Sequence, residues 1–234
     1  MIIFYTGDII DDIAILRDEE ARHCSKVLRH RVGDIVVFTD GKGKFYESEL
    51  IDISKKECKL KILKDRDGEK PDYDLTIAIS LVKNTARFDW FLEKVVEIGV
   101  TEIVPLICER TQKRSIKEKR LENIIVSASK QSLKASFPKL HLPMKYKDFV
   151  KTLKGASAFI AHLNDYSEYL GKIVPARSKT TIIIGPEGDF TKEELDFAFE
   201  YGLKPVTLGK SRLRTETAGV VSCQIVNTIN EISS

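Results

Sequence analysis

The chain has 234 residues, 42% hydrophobic and 31% charged with a net charge of +3, so it can bury a core in one large domain or two smaller ones. It has no early apolar segment of the signal-peptide type and no apolar run near the roughly 20 residues that cross a bilayer, so we expect a soluble, cytoplasmic protein without a membrane partner. Four cysteines without a CxxC pair and four scattered histidines are not typical of a disulfide framework or a metal site, so we expect no metal.

The first third of the chain is predicted to be rich in strands. These strands cover residues 35–39, 45–53 and 58–63, and the first two flank a glycine-bearing turn that indicates a hairpin. The polar stretch 64–74 contains Gly68 and Pro71 and has no apolar periodicity, which makes it the best linker candidate. We therefore predict two domains, residues 1–72 and residues 73–234.

Strands and helices are predicted to alternate after this boundary. The predicted strands are residues 75–81, 102–107, 158–162, 181–184 and 205–208, and the predicted helices include residues 87–98, 117–135 and 216–232. Such alternation is typical of a parallel sheet covered by helices on both faces, and by itself it suggests a Rossmann-like sheet. Trp90 and Phe91 in the first of these helices are predicted to be core residues.

Basic residues concentrate in the middle of the chain. The first 72 residues carry 14 basic and 16 acidic side chains, whereas residues 109–139 carry nine basic and three acidic ones. Such a run is usually a solvated helix face, and it is also the electrostatic pattern of a phosphate-binding surface. Charge alone leaves both interpretations open.

Two glycine-bearing segments in the last quarter are the most informative part of the chain. IIIGPEGDFTKEEL covers residues 182–195, and LGKSRLRTETAGVVS covers residues 208–222. In each segment the glycines follow a predicted strand and precede a predicted helix. Thr191 with Glu194 forms a capping-box pattern at the start of the first of these helices. Ligands of open α/β sheets bind at the carboxyl ends of strands, so both segments are predicted to line one crevice. A glycine-proline turn alone more often only ends a strand than forms a binding site. Neither segment matches a P-loop or a GxGxxG fingerprint.

These segments resemble the ribosomal RNA small-subunit methyltransferase E family of the SPOUT class, whose members methylate N3 of a uridine in 16S rRNA. The resemblance extends to HCSKVLRHRVGD at residues 23–34, to KNTARFDWFLEKVVEIGVTEIVPLICERTQKR at 83–114 and to KQSLKASFPKL at 130–140. Asp189 and Phe190 depart from the usual Gly and Leu, and Ile98 replaces the usual Leu. Lys130 and Lys134 stand where Glu and Arg are common, and lysine lacks the bidentate fork of arginine.

The family resemblance implies an α/β fold with a C-terminal trefoil-knotted SPOUT methyltransferase domain and an N-terminal PUA-like β-barrel that binds RNA. Periodicity alone would not predict a knot, because chains otherwise almost never thread through themselves. The resemblance also implies S-adenosylmethionine as cofactor, 16S rRNA or the small ribosomal subunit as partner, and a homodimer.

The resemblance implies a cofactor site built largely from main-chain groups and apolar side chains. Its predicted residues are Leu163, Gly185, Pro186, Glu187, Gly188, Leu208, Gly209, Leu213, Arg214, Thr215, Glu216, Thr217 and Ala218. Small residues suit such a site, because a Cβ at Gly185, Gly188 or Gly209 would block a close approach.

The implied reaction removes a weakly acidic proton from uracil N3, which requires a base or cations that stabilise the developing anion. Arg214 is the predicted anion-stabilising or substrate-positioning group, and Glu216 is the predicted base or orienting partner. A structural Arg–Glu pair that fixes the loop is the alternative for both. The predicted RNA-phosphate contacts are Arg22, Arg29, Arg31, Lys83, Arg87, Arg110 and Arg114.

Two other functions remain open from the sequence. The basic run and the PUA-like module would also suit a noncatalytic RNA-binding assembly factor. A SPOUT methyltransferase with another RNA target is the second alternative, and the RLRTET signature at residues 212–217 argues against it.

Overall fold

The computed structural model describes residues 2–54, 56–162 and 167–233, and the chain divides into two compact units. The first unit comprises Met1–Lys70 and Val126–Phe137, and the second comprises Pro71–Ile125 and Pro138–Ser234. The predicted division after residue 72 stays a prediction about domains. A single boundary does not account for the segment Val126–Phe137, which joins the first unit from the middle of the chain.

The first unit is built around a six-stranded sheet. Its strands are β1 (Ile3–Tyr5), β2 (Ile9–Ile10), β3 (Ile13–Arg17), β4 (Ile35–Thr39), β5 (Lys44–Ile53) and β6 (Glu57–Asp67), in the spatial order β1-β4-β5-β6-β3-β2. β1 and β4 run parallel and the other neighbours antiparallel. A short helix α1 (Asp18–Arg22) continues into a π-helical turn, His23–Val27. The predicted hairpin of β4 and β5 is confirmed, with Thr39 opposite Phe45.

Apolar side chains of this sheet form the core of the first unit. Phe4, Phe38 and Leu50 are at most 1% exposed. The segment Val126–Phe137 joins this unit because Ala135 packs against Phe45 and accepts a hydrogen bond from Thr39 Oγ1 at 3.0 Å. This long-range contact has no signal in the local sequence pattern.

The second unit is a parallel α/β sheet, as predicted. Its strands are β7 (Asp74–Ser80), β8 (Glu102–Ile107), β9 (Lys139–Leu140), β10 (Met144–Lys145), β11 (Ser157–Ala161), β12 (Glu168–Tyr169), β13 (Lys179–Ile184) and β14 (Lys204–Thr207). The helices that follow β6 are α2 (Thr85–Ile98), α3 (Glu118–Gln131), α4 (Tyr146–Lys151), α5 (Leu170–Ile173), α6 (Lys192–Glu200) and α7 (Thr215–Ile232), and α3 is shared between the two units. The strand order is β10-β8-β7-β13-β11-β14-β12, with β9 beside β8.

Continuous apolar runs place β7 and β13 side by side within this sheet. Ile77 lies opposite Ile182, and both side chains are fully buried. Strands buried on both faces carry such runs because helices cover each side of a parallel sheet. Phe91 on α2 is fully buried as predicted, but Trp90 is 43% exposed, so its predicted core position is wrong. Successive residues of a helix point about 100° apart, and the buried face of α2 includes Phe91 and Leu92 but not Trp90.

The capping box at the start of α6 is confirmed. Thr191 Oγ1 accepts from the amide of Glu194 at 3.2 Å, and Glu194 Oε2 accepts from the amide of Thr191 at 3.0 Å. These contacts satisfy first-turn amides that have no partner within the helix. The helix therefore begins at Lys192, shortly after the glycines of the first glycine segment.

The trefoil knot stays a prediction. The packing of the last elements of the chain supports it. β14 pairs with β11 inside the sheet, and α7 packs against β7 and α2, which are the first strand and the first helix of the second unit.

Candidate functional site

A cavity of about 780 Å³ opens at the carboxyl ends of the neighbouring strands β11, β13 and β14. This is the edge at which ligands of open α/β sheets bind. Nine predicted cofactor-binding residues line it: Gly185, Pro186, Glu187, Leu208, Gly209, Leu213, Arg214, Thr215 and Ala218. Gly188, Glu216 and Thr217 do not line it, and Leu163 lies outside the described residues. Both glycine segments therefore face one crevice, as expected from their position after strands.

A direct hydrogen bond joins the two glycine segments. Thr215, the first residue of α7, donates from Oγ1 to the carbonyl oxygen of Gly185 at 3.0 Å. Thr215 is 5% exposed, so this contact is shielded from water. The N-terminus of α7 is thereby fixed against the end of β13, and the cavity has a wall from each segment.

Contacts within the protein already restrict the three glycines for which a close approach of the cofactor is predicted. A Cβ on Gly185 would lie 2.8 Å from the Phe190 ring, and one on Gly188 would lie 3.3 Å from Cδ of Arg110. Gly209 has open space around its Cβ position, but its φ of +138° strains any side-chain-bearing residue. Two of the three glycines thus make room for neighbouring side chains, and the third permits a special backbone conformation.

Contacts from neighbouring strand ends hold the first glycine segment. The amide of Lys83, after β7, donates to Glu187 Oε1 at 3.1 Å. Asp189 has a left-handed φ of 62°, a conformation that glycine adopts more readily than other residues. Its Oδ2 lies 3.3 Å from His162 Nδ1, out of line for a hydrogen bond, so the buried Nδ1 has no hydrogen-bond partner among the described residues.

Arg87 and Glu216 form an ion pair beside the cavity. Arg87 Nε lies 3.6 Å from Glu216 Oε1, and the side chains are 41% and 7% exposed. Glu216 Oε2 is buried without a hydrogen-bond partner within the described ranges. Arg87 lines the cavity, whereas Glu216 does not. The carboxylate can therefore affect the cavity only through its ion pair with the Arg87 guanidinium. Arg214 lines the cavity as the exposed N-cap residue of α7.

The predicted RNA contacts fall into two structural groups. Six of the seven are exposed: Arg22, Arg29, Arg31, Lys83, Arg110 and Arg114. Arg87 instead lines the cavity, and the guanidinium of Arg110 hydrogen-bonds the first glycine segment. Arg87 and Arg110 therefore have positions within the protein that an arginine which only binds RNA phosphates at the surface would not need.

Several cavity residues were not predicted from the sequence. These are Ala161, His162, Ile184, Asp189, Val206, Thr207, Ser211 and Arg212, together with Arg87, which was assigned to RNA. Most of them directly adjoin predicted residues at strand ends, so position after a strand was the available signal. The reach of Arg87 from α2 had no such signal, because it depends on how α2 packs against α7.

Three further observations limit the chemistry of the described residues. No group of three or more His, Cys, Asp and Glu side chains among them could hold a metal ion. The four cysteines are buried and are not joined in disulfides. Within the described ranges, no helix has the length and apolar character needed to span a membrane.

Comparisons with known proteins agree with this architecture. A family profile described as an RNA methyltransferase domain matches residues 69–227, and one described as an RNA methyltransferase PUA domain matches residues 16–63. A ribosomal RNA small subunit methyltransferase E from Mesomycoplasma hyopneumoniae is 30% identical, covering 93% of this chain and 95% of that relative. The chain belongs to the ribosomal RNA small subunit methyltransferase E family.

Solved structures of similar proteins confirm the fold of this family member. A probable rRNA methyltransferase from Porphyromonas gingivalis is 39% identical with a TM-score of 0.94, covering all of both chains. A ribosomal RNA small subunit methyltransferase E from Neisseria gonorrhoeae bound to S-adenosyl methionine is 31% identical with a TM-score of 0.87, covering 98% of each chain. The predicted SPOUT-type α/β fold with an N-terminal PUA-like domain is therefore confirmed.

Proposed function

We propose that this chain transfers a methyl group from S-adenosylmethionine to ring nitrogen N3 of a uridine in 16S rRNA of the small ribosomal subunit. The observation that carries the proposal is the cavity that both glycine segments line at the carboxyl ends of three parallel strands. A family relative with this fold binds S-adenosyl methionine. A cavity of about 780 Å³ lies within the range of small-molecule sites.

Methyl transfer places specific demands on this site. A bond forms between uracil N3 and the methyl carbon while the bond from that carbon to the sulfonium breaks, which leaves a neutral thioether. The N3 proton must also pass to a base or to solvent water, so negative charge develops on the ring and its carbonyl oxygens as the proton leaves. The residues around the cavity must therefore hold the two reactants in line and stabilise this charge.

Arginines at the cavity suit this electrostatic task. We assign Arg214 to stabilising or positioning the uracil, because it lines the cavity and stays exposed at the start of α7. Glu216 suits the role of an orienting partner better than that of the base, because it contacts Arg87 and does not line the cavity. Arg87 then supplies a second cation at the cavity, and the buried carboxylate of Glu216 orients its guanidinium.

The proposal extends to assembly and location. We propose a homodimer, and α7 offers partly buried apolar side chains for an interface: Val220, Val221, Ile225 and Ile229. We also propose the cytoplasm as the location, because the proposed substrate belongs to the ribosome. A sedimentation experiment in which a monomer binds S-adenosylmethionine stoichiometrically and methylates rRNA would contradict the dimer.

Labelled methyl transfer tests the proposed reaction directly. Small subunits from cells without this activity, incubated with the purified chain and methyl-labelled S-adenosylmethionine, should gain one label in 16S rRNA, and mass mapping should identify it as 3-methyluridine. Arg214→Ala should lose most of the rate and keep the cofactor affinity. Full methylation by Arg214→Ala would remove this arginine from the mechanism. No calorimetric binding of S-adenosylmethionine by the unmodified chain would favour a noncatalytic RNA-binding factor.

A further inference from the structure

The segment that follows β8 holds the first glycine segment through main-chain carbonyl groups. Arg110 Nη1 donates to the carbonyl oxygen of Gly188 at 2.5 Å and to that of Phe190 at 3.5 Å. Gly188 and Phe190 do not line the cavity, whereas Glu187 and Asp189 do. Contacts to Arg110 and contacts to the cavity therefore alternate along the segment.

The residue before Arg110 holds the next part of the same region. The amide of Glu109 donates to Glu194 Oε1 at 2.8 Å, and the other oxygen of Glu194 caps the first turn of α6. Glu194 is 4% exposed, so its carboxylate needs these donors. Two consecutive residues after β8 thus fix the glycine segment and the helix that follows it.

Buried hydrogen bonds make the turn that carries Arg110 rigid. Thr111 Oγ1 accepts from the amide of Cys108 at 2.8 Å and pairs with Ser80 Oγ, also at 2.8 Å. The amide of Thr111 donates to the carbonyl oxygen of Cys108 at 3.1 Å. Ser80, Cys108 and Thr111 are at most 4% exposed. The turn is therefore anchored to the end of β7, and Arg110 projects from a fixed base.

Glycine at position 188 allows Arg110 to lie close to the backbone. The Cβ of any other residue would lie 3.3 Å from Cδ and 3.8 Å from Cβ of Arg110. The arginine side chain therefore packs along the glycine as well as bonding its carbonyl group. Such a contact suits an arginine that supports the main chain, rather than one that only extends towards a phosphate.

We propose that Arg110 is a positioning residue, which holds residues 185–190 in the conformation that lines the cavity so that S-adenosylmethionine binds a preorganised wall. This inference rests on the proposed function. Without the guanidinium, the segment would become ordered only when the cofactor binds. The entropic cost of this ordering would weaken cofactor binding. Arg110 is then a support of the cofactor site, which differs from the phosphate contact that the sequence predicted.

Calorimetry on the full chain tests this role with Arg110→Gln, Arg110→Lys and Lys119→Gln. Hydrogen bonds to a charged group typically change binding by tenfold or more, so Arg110→Gln should raise the Kd and KM for S-adenosylmethionine by about tenfold. Its kcat at saturating cofactor should stay within about twofold, because the reacting groups are intact. Arg110→Lys should recover part of the affinity, since an ammonium can also donate to the two carbonyl groups but lacks the planar guanidinium. Lys119, whose side chain is 86% exposed, controls for the lost charge and should leave the Kd unchanged.

Hydrogen exchange gives a second readout that a general loss of stability would not produce. In Arg110→Gln, faster exchange should be confined to the amides of residues 187–191, with the strands β7 and β13 unaffected. An unchanged cofactor Kd together with weaker RNA binding would overturn the inference and leave the proposed function intact. A failure of the unmodified chain to bind S-adenosylmethionine would overturn both. If Arg110→Gln does not fold, Arg110→Met takes its place, and an unchanged Kd in that variant would overturn the inference.

Discussion

At the scale of single residues, the contact between Arg87 and Glu216 decides how the cavity presents positive charge. The carboxylate is buried and the guanidinium lines the cavity, so each side chain depends on the other for its orientation. Removing either partner leaves the remaining one without its counter-charge, which is costly for a buried group. The two residues should therefore behave as one functional unit.

A double-mutant cycle on this pair should be strongly non-additive. We expect Arg87→Gln and Glu216→Gln each to lower kcat by about tenfold or more, and the double variant to be no slower than the slower single variant. Rates measured at saturating S-adenosylmethionine, with cofactor affinity as the control, check this. If the two losses simply multiplied, the residues would act independently and Glu216 would have another role.

Buried thiols predict how stability changes at high pH. Burial raises the pKa of Cys24 and of Cys108 to about 12, from 9.0 in the unfolded chain. Since the unfolded state then releases protons first, the contribution of these two thiols to stability is constant below about pH 9 and falls as the pH rises from about 9 towards 12. Denaturant unfolding between pH 7 and 11 measures this slope. Cys108→Ala should make the slope less steep, and an unchanged slope would contradict the assignment to this thiol.

At the scale of secondary-structure elements, the packing of α2 against α7 is tight at Gly219. A glycine inside a helix is normally less stable than alanine by about 1 kcal/mol. Here, however, an added Cβ would lie 2.5 Å from Cε2 of Phe91 and 3.0 Å from Cδ1 of Ile79. The close approach of the two helices, rather than helix propensity, determines the residue at this position.

Gly219→Ala should therefore destabilise the protein, in contrast to the usual effect. We expect the free energy of unfolding to fall by about 1–3 kcal/mol, the cost of overpacking a core. Gln224→Ala, at an exposed position of the same helix, is the control and should change stability by less than about 0.5 kcal/mol. A more stable Gly219→Ala variant would mean that α7 can move away from α2 without cost.

The N-terminus of α6 should be sensitive to its capping residue. Thr191→Ala removes the acceptor of the Glu194 amide, so we expect about 1 kcal/mol lower stability in denaturant unfolding. Thr191→Ser retains the hydroxyl and should keep most of that stability. Equal losses in both variants would indicate that the methyl group, rather than the hydrogen bond, is responsible.

Most elements of the second unit could be predicted from local patterns. The Thr191 and Glu194 spacing located the start of α6, and the β-branched run before Gly185 located β13. Two-residue strands such as β12 (Glu168–Tyr169) escaped prediction because they are too short to show periodicity. The exposure of Trp90 was missed because the helical period does not specify how wide the buried face is.

At the scale of the whole molecule, affinity for RNA should depend strongly on salt. The exposed predicted contacts other than Arg110, whose guanidinium bonds the first glycine segment, are Arg22, Arg29, Arg31, Lys83 and Arg114. If all of them bind phosphates of single-stranded RNA, the slope of log K against log salt should be about −3.5, since each contact contributes about −0.7.

Single substitutions should resolve this slope into individual contacts. Arg29→Gln should weaken RNA binding and reduce the slope by about 0.7, with cofactor affinity unchanged. Fluorescence anisotropy over a series of salt concentrations measures both quantities. A slope that Arg29→Gln does not change would exclude a phosphate contact at this residue.

The sequence by itself determined the family, the parallel sheet and the two glycine segments that line the cavity, because these features are carried by local patterns and contiguous motifs. Only the tertiary structure decided that Arg87 reaches the cavity with Glu216 behind it, that Arg110 supports the segment containing Gly188, and that residues 126–137 join the first unit. Each of these contacts joins residues far apart in the chain. Their distances depend on how strands and helices pack, which no local pattern encodes.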